Sequence, residues 1–176
     1  MGWDWLDFKD WLKNKTILVL LLVIFVSLVA FVLVVRIDSV VNVDLYDFGL
    51  QFSTNWANDY WYLAKLLWVF QGGVCVLAVL SLWPHSLRLK KHDSFSVWVG
   101  VLLPSIAFVY QALSIVFLVG IDNIVYNRLY SFGLDPSYDW GLVYNPIRTS
   151  TLALMVVGLI VLLIPVIRIL KKLKSK

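Results

Sequence analysis

The sequence is poor in the residue types that carry redox, metal and haem chemistry. Its single cysteine, Cys75, excludes an intrachain disulfide and the C-x-x-C pair used in thiol oxidation. Its only histidines, His85 and His92, lie together in one predicted loop, which excludes a membrane haem held by paired histidines. Zinc clusters, phosphate-binding loops and nucleophile motifs are also missing. The sequence therefore predicts no enzyme, no cofactor and no metal site.

Apolar sequence is what the chain has in abundance. Hydrophobic residues make up 61% of it, whereas roughly half is usual for a soluble domain. A helix needs about 20 apolar residues to cross a bilayer, and four segments are long enough: 16–35, 61–83, 97–120 and 151–170. No Asp, Glu or His lies in the middle of these segments, which argues against a proton relay. The sequence predicts an all-α integral membrane protein, a bundle of four transmembrane helices.

The positive charges are distributed unevenly between the two faces of the membrane. Eleven of the fifteen Lys and Arg residues lie before the first span, between the second and third, and after the fourth. The positive-inside rule then places both termini in the cytoplasm. We expect the chain to be an integral, multi-pass protein of the plasma membrane. Of the eleven acidic residues, all aspartates, seven lie on the outer face. The inner basic excess fits contact with the anionic headgroups of the lipid bilayer and not nucleic-acid binding.

A stretch of twenty residues occurs twice in the chain. Residues 37–56 and 121–140, a constant 84 positions apart, agree at ten of twenty positions without a gap. Their shared pattern is I-D-x-x-V-x-x-x-L-Y-x-F-G-L-x-x-S-x-x-W. The duplication predicts two helical hairpins in the same orientation, related by a pseudo-twofold axis along the membrane normal. Such a parallel repeat differs from the inverted repeats of many alternating-access transporters.

The repeat defines the expected domain organisation. The chain divides into a cytoplasmic interfacial segment (residues 1–15), a first hairpin (16–83), a cytoplasmic loop (84–95) and a second hairpin with a basic tail (96–176). The alternative for the first segment is a lead-in whose aromatic residues anchor the first span. In each hairpin the first helix should continue past the membrane and end at Gly49 or Gly133, giving ordered extracellular caps. Pro84 should end the second helix, and Asn145-Pro146 should begin the fourth.

The repeated aspartates and aromatic residues are candidate functional or structural groups at the outer face. Asp38 and Asp122 occupy equivalent positions just past the outer ends of their helices. They would bind a cation or line a vestibule if they faced a shared axis, whereas the favoured interpretation pairs each with a nearby Arg or Lys or makes it a helix cap. The repeated aromatic residues at the outer face are Tyr46, Tyr130, Trp56 and Trp140. We expect them to pin the outer loops to the bundle; the alternative is a shelf on which a sugar or lipid stacks.

Gln71 and Gln111 are the most polar side chains near the middle of the membrane. Polar groups in lipid need partners, so we expect both to face inward and to form hydrogen bonds across the bundle. A structural role is favoured for them over a substrate or ion site. Gly72 and Gly73 are interpreted as positions of close helix contact.

These patterns favour a non-enzymatic multi-pass membrane protein, a structural, assembly or accessory subunit of a membrane complex or homo-oligomer. The expected partners are the lipid bilayer and either further copies or other subunits. The alternative is an oligomeric pore or small transporter that gathers Asp38 and Asp122 around a path. A third hypothesis is a lipid- or quinone-handling protein that uses the outer aromatic residues.

Overall fold

The structure, a computed structural model, describes residues 15–41, 54–86, 94–131 and 141–174, and these are helical throughout. They form four helices, α1 to α4 in chain order: Lys15–Ser39, Thr54–Ser86, Ser94–Ser131 and Gly141–Lys174. Each helix contains a stretch long and apolar enough to cross a membrane: Ile17–Ser39, Asp59–Leu82, Leu102–Asn127 and Leu142–Ile164. The prediction of an all-helical membrane protein with four candidate spans is confirmed.

The four helices pack as a ring in chain order. Helix α1 contacts α2 and α4, and α3 contacts the same two neighbours. The contact between α2 and α3 is the most extensive of the four. Each helix therefore buries one face toward the centre of the ring and exposes the opposite face to its surroundings.

Glycine allows the close approach of α2 and α3 at one position. A Cβ atom built on Gly73 would lie 2.6 Å from Cδ2 of Tyr110 on α3, a distance that real Cβ atoms do not reach. The ring of Tyr110 therefore rests directly on the backbone of α2. The neighbouring Gly72 is different, because a Cβ atom there would lie 3.7 Å from Phe31 of α1, an ordinary contact. Of the two glycines, only Gly73 is required for helix packing.

Several helix boundaries differ from the predicted ones. Helix α4 begins at Gly141, before the predicted start at Asn145, because the buried Tyr144 is already packed against the bundle. Helix α2 continues through Pro84 and ends two residues later at Ser86, so the proline lies in the last turn of the helix and does not mark its end.

The long α3 helix follows the predicted course beyond the apolar stretch. It continues without interruption through Pro104 and past Gly120 to Ser131. A π-helical turn at residues 40–41 follows helix α1 directly. The predicted caps at Gly49 and Gly133 and the interfacial segment before residue 15 lie outside the described residues.

The interior of the ring contains two clusters of buried apolar residues. One cluster lies at the end of the bundle that carries Asp38 and Asp122, which we call the aspartate end. It includes Ala30, Val34 and Ile37 of α1, Tyr60 and Leu67 of α2, Leu118 and Ile121 of α3, and Tyr144 and Met155 of α4. The other cluster lies farther from the aspartate end and comprises Val23, Val74, Ala78, Ala107 and Leu162.

Candidate functional site

The first repeated aspartate joins α1 to α2 at the aspartate end. The hydroxyl of Tyr60 donates a hydrogen bond to Oδ1 of Asp38, with a distance of 2.7 Å between the oxygens. Tyr60 is fully buried, and a buried tyrosine hydroxyl normally finds a partner. Because Asp38 lies near the end of α1 and Tyr60 near the start of α2, their bond fastens the two helices where the chain turns back.

The second repeated aspartate forms the corresponding bond between α3 and α4. The hydroxyl of Tyr144 donates to Oδ1 of Asp122 at 3.2 Å, and the two residues are 22 positions apart in the chain, as Asp38 and Tyr60 are. Tyr144 is also fully buried, and both tyrosines belong to the same apolar cluster. Two like pairs thus close the aspartate end of the ring.

Asp122 has an additional, charged partner. Nη2 of Arg148 lies 2.6 Å from its Oδ2, so that residues of α4 occupy both carboxylate oxygens. The Arg148 guanidinium also lies 5.9 Å from the ring centre of Tyr126, whose hydroxyl donates to Asn145. With 32% of its side chain exposed, Arg148 is partly screened by solvent, and such a pair contributes on the order of 1 kcal/mol or less.

The position that corresponds to Arg148 in the first half of the chain carries no charge. The position 84 residues before Arg148 holds Ala64, which is buried and uncharged. The tyrosine–aspartate bond is therefore common to both halves, whereas the ion pair at Asp122 is not reproduced from the equivalent position. A cation binding at Asp122 would have to displace Arg148, so the geometry favours a structural role for this carboxylate.

The tyrosines of these pairs were not among the residues that the sequence pattern singled out. The repeated stretch ends at Trp56 and Trp140, and the next identical pair at the same offset, Tyr60 and Tyr144, lies four residues farther on. This identity is the signal in the sequence that points to the two tyrosines. Their pairing with Asp38 and Asp122 could not be found in this way, because a pattern at a fixed offset does not indicate contact.

The repeated aromatic candidates are only partly covered by the structure. Tyr46 and Trp140 lie outside the described residues. Trp56 lies in α2 and Tyr130 in α3, but their side chains are not among those described. Their predicted role in pinning the loops stays a prediction.

The two glutamines lie inside the ring, at a level between the two apolar clusters. Nε2 of Gln71 donates to the backbone carbonyl of Ser27 at 3.2 Å, which links α2 to α1. Gln111 of α3 is equally buried, and its amide lies beside Gly158 of α4. Ser114 of α3 is buried at the same level. We call Ser27, Gln71, Gln111 and Ser114 the polar layer.

The described side chains offer little for binding a metal. Within residues 15–41, 54–86, 94–131 and 141–174, no three His, Cys, Asp or Glu side chains come together. The polar layer contains only amides and hydroxyls, which are neutral. What the arrangement does chemically is to join neighbouring helices at two levels, the aspartate end and the polar layer.

The comparisons with known proteins add no relative. No protein-family model matches the chain, and searches of curated proteins and of solved structures find no match either.

Proposed function

We propose that this chain is a non-enzymatic membrane scaffold, a structural, assembly or accessory subunit of a membrane complex or homo-oligomer. The observation that carries the proposal is that side chains of neighbouring helices engage both repeated aspartates. Asp122 is bound on both oxygens by Tyr144 and Arg148, and Asp38 by Tyr60. Groups used in this way hold helices together, and a substrate or an ion would first have to break those bonds.

The proposed architecture is a parallel repeat of two hairpins with a pseudo-twofold axis along the membrane normal. Two observations support it. The tyrosine–aspartate bond recurs with the same spacing, from Asp38 and Tyr60 to Asp122 and Tyr144. The ring order of the helices also maps onto itself when α1 and α2 are exchanged with α3 and α4, because every neighbouring pair becomes a neighbouring pair.

The proposed orientation places the aspartate end outside a plasma membrane and both termini in the cytoplasm. The asymmetry of basic residues supports this orientation, since short loops rich in Lys and Arg stay on the cytoplasmic side. The extracellular caps that we propose are those predicted from the repeated stretches 37–56 and 121–140. These caps are the surfaces that we propose for contact with other subunits.

A pore is the alternative that the same residues allow, and it makes different demands on them. It requires Asp38 and Asp122 to border a continuous path through one bundle or between several. The interior of the described bundle is instead closed by buried side chains on both sides of the polar layer. This packing supports the scaffold over a pore within one chain.

Purification from native membrane in a gentle detergent tests the scaffold. We expect native mass spectrometry to find the 20.2 kDa chain in a fixed multiple or with defined partner subunits. In parallel, the purified chain in vesicles should give no ion flux above that of empty vesicles. A strictly monomeric chain at native expression level, together with flux abolished by Asp38→Asn, would refute the scaffold and favour the pore.

A further inference from the structure

The polar layer contains polar atoms that no neighbouring protein group satisfies. They are Oγ of Ser27, Oε1 of Gln71 and both amide atoms of Gln111, and none of them has a hydrogen-bond partner among the described residues. Each of these side chains is at most 1% exposed. Lipid tails could not serve as partners either, because hydrocarbon neither donates nor accepts hydrogen bonds. Three helices thus each contribute unsatisfied polar atoms to one level of the bundle.

Other hydroxyls in the bundle form a hydrogen bond that Ser27 does not form. Ser81, Ser114 and Thr151 each donate to the carbonyl oxygen four residues earlier, at 2.7 to 2.9 Å. This bond is open to any serine or threonine in a helix. Ser27 does not form it, so its hydroxyl stays available for a partner within the polar layer.

Gly158 leaves room for a small group beside one of these side chains, Gln111. A Cβ atom at position 158 would lie 3.7 Å from Oε1 of Gln111 and 3.7 Å from the side chain of Val26, the neighbour of Ser27. Gln71 reaches the same turn of α1 through its bond to the Ser27 carbonyl. The missing side chain at position 158 therefore leaves room for a small group beside the Gln111 amide and next to the turn of α1 that carries Ser27.

We propose that the polar layer binds ordered water beside Gly158, in the middle of the bundle. Two glutamine oxygens require donors, the Gln111 amide nitrogen requires an acceptor, and the Ser27 hydroxyl can act as either. Water is small and supplies both donors and acceptors, and buried waters typically bridge about three polar groups that are otherwise unsatisfied. The bound water links α1, α2 and α3 at one level, and sliding any of these helices would bring its polar group against the apolar clusters.

Water-to-amide magnetisation transfer in the reconstituted full-length chain tests the proposal. With nitrogen-15 confined to glutamine side chains, the chain gives three amide signals, from Gln51, Gln71 and Gln111. Gln111→Met and Gln71→Met each remove one signal and so identify it. In deuterated lipid, we expect the Gln111 amide to receive magnetisation from water by dipolar transfer. The sign of the cross-peak in a rotating-frame experiment distinguishes this transfer from chemical exchange. Absence of this transfer at Gln111 would overturn the proposal.

Gly158→Ala tests where the water binds. The added methyl group fits without a clash, since its nearest neighbours lie at 3.7 Å, and it occupies the room beside the Gln111 amide. We expect the transfer from water to Gln111 to fall by at least half, and the melting temperature to fall although alanine favours a helix over glycine. A melting temperature that rises, with the transfer from water to Gln111 unchanged, would show that no water lies beside Gly158 and would contradict the proposed position of the water.

Discussion

Replacing Gly73 with alanine should weaken the contact between α2 and α3, because the new methyl group meets the ring of Tyr110. The built Cβ position lies 2.6 Å and 2.7 Å from two atoms of this ring, so either the ring or the helices must move. The ring is not free to turn away, since it packs edge-on against Phe70 with 4.8 Å between the ring centres. Phe70 is itself in contact with the ring of Phe117 on α3.

The magnitude follows from two opposing terms. Overpacking of this kind costs about 1–3 kcal/mol. Alanine gains back up to about 1 kcal/mol, because glycine is the poorer helix former in the middle of a helix. Gly72→Ala is the matched control, since it brings the same gain and its methyl group meets only an ordinary contact at 3.7 Å. We therefore expect Gly73→Ala to be less stable than Gly72→Ala by about 1–3 kcal/mol.

Reversible unfolding in mixed micelles, with helicity and tryptophan fluorescence as readouts, measures both variants against the unchanged chain. A second measurement assigns the effect to the ring itself. In a Tyr110→Ala background the clash is absent, so Gly73→Ala should be neutral or stabilising, and the double-mutant cycle should show strong coupling. Equal stability of the two glycine variants, or a cycle without coupling, would refute the packing that we describe.

Other expected outcomes concern the aspartate end and the orientation of the chain. Tyr60→Phe and Tyr144→Phe should each lower the free energy of unfolding by about 1.5–3 kcal/mol, because each removes a buried donor from a carboxylate; an unfolding titration that finds both neutral would contradict the bonds. Asp38→Asn and Asp122→Asn should have additive effects on stability without an ion-dependent signal, whereas a double variant no worse than either single one would indicate a shared cation. A cysteine at position 90 in a cysteine-free chain should resist an impermeant reagent in intact cells, and rapid labelling there would reverse the orientation.

The sequence by itself was sufficient for the class of the protein and for part of its interior. Four apolar segments of bilayer length predict four candidate spans, because the thickness of the hydrocarbon core sets the helix length directly. The inward position of Gln71 and Gln111 was also predictable, since a polar amide at this depth cannot face lipid. Both inferences depend only on the surroundings of one segment or one residue.

The pairing of side chains was decided by the tertiary structure. Asp122 had several basic residues within plausible reach, and the packing of α4 beside α3 selects Arg148. The donors Tyr60 and Tyr144 come from the helices that follow their aspartates in the chain, 22 residues away in both cases. Local sequence does not specify how two helices are rotated against each other, and such a contact depends on that rotation.

The adjacent glycines show the same limit at a single position. In the sequence, Gly72 and Gly73 are equivalent candidates for close packing. In the structure, only Gly73 lies against the ring of Tyr110, whereas Gly72 lies toward Phe31 of α1. Successive residues of a helix differ by about 100° in direction, since 3.6 residues complete a turn. Which of two neighbours meets another helix is therefore determined by the rotation of α2 within the ring.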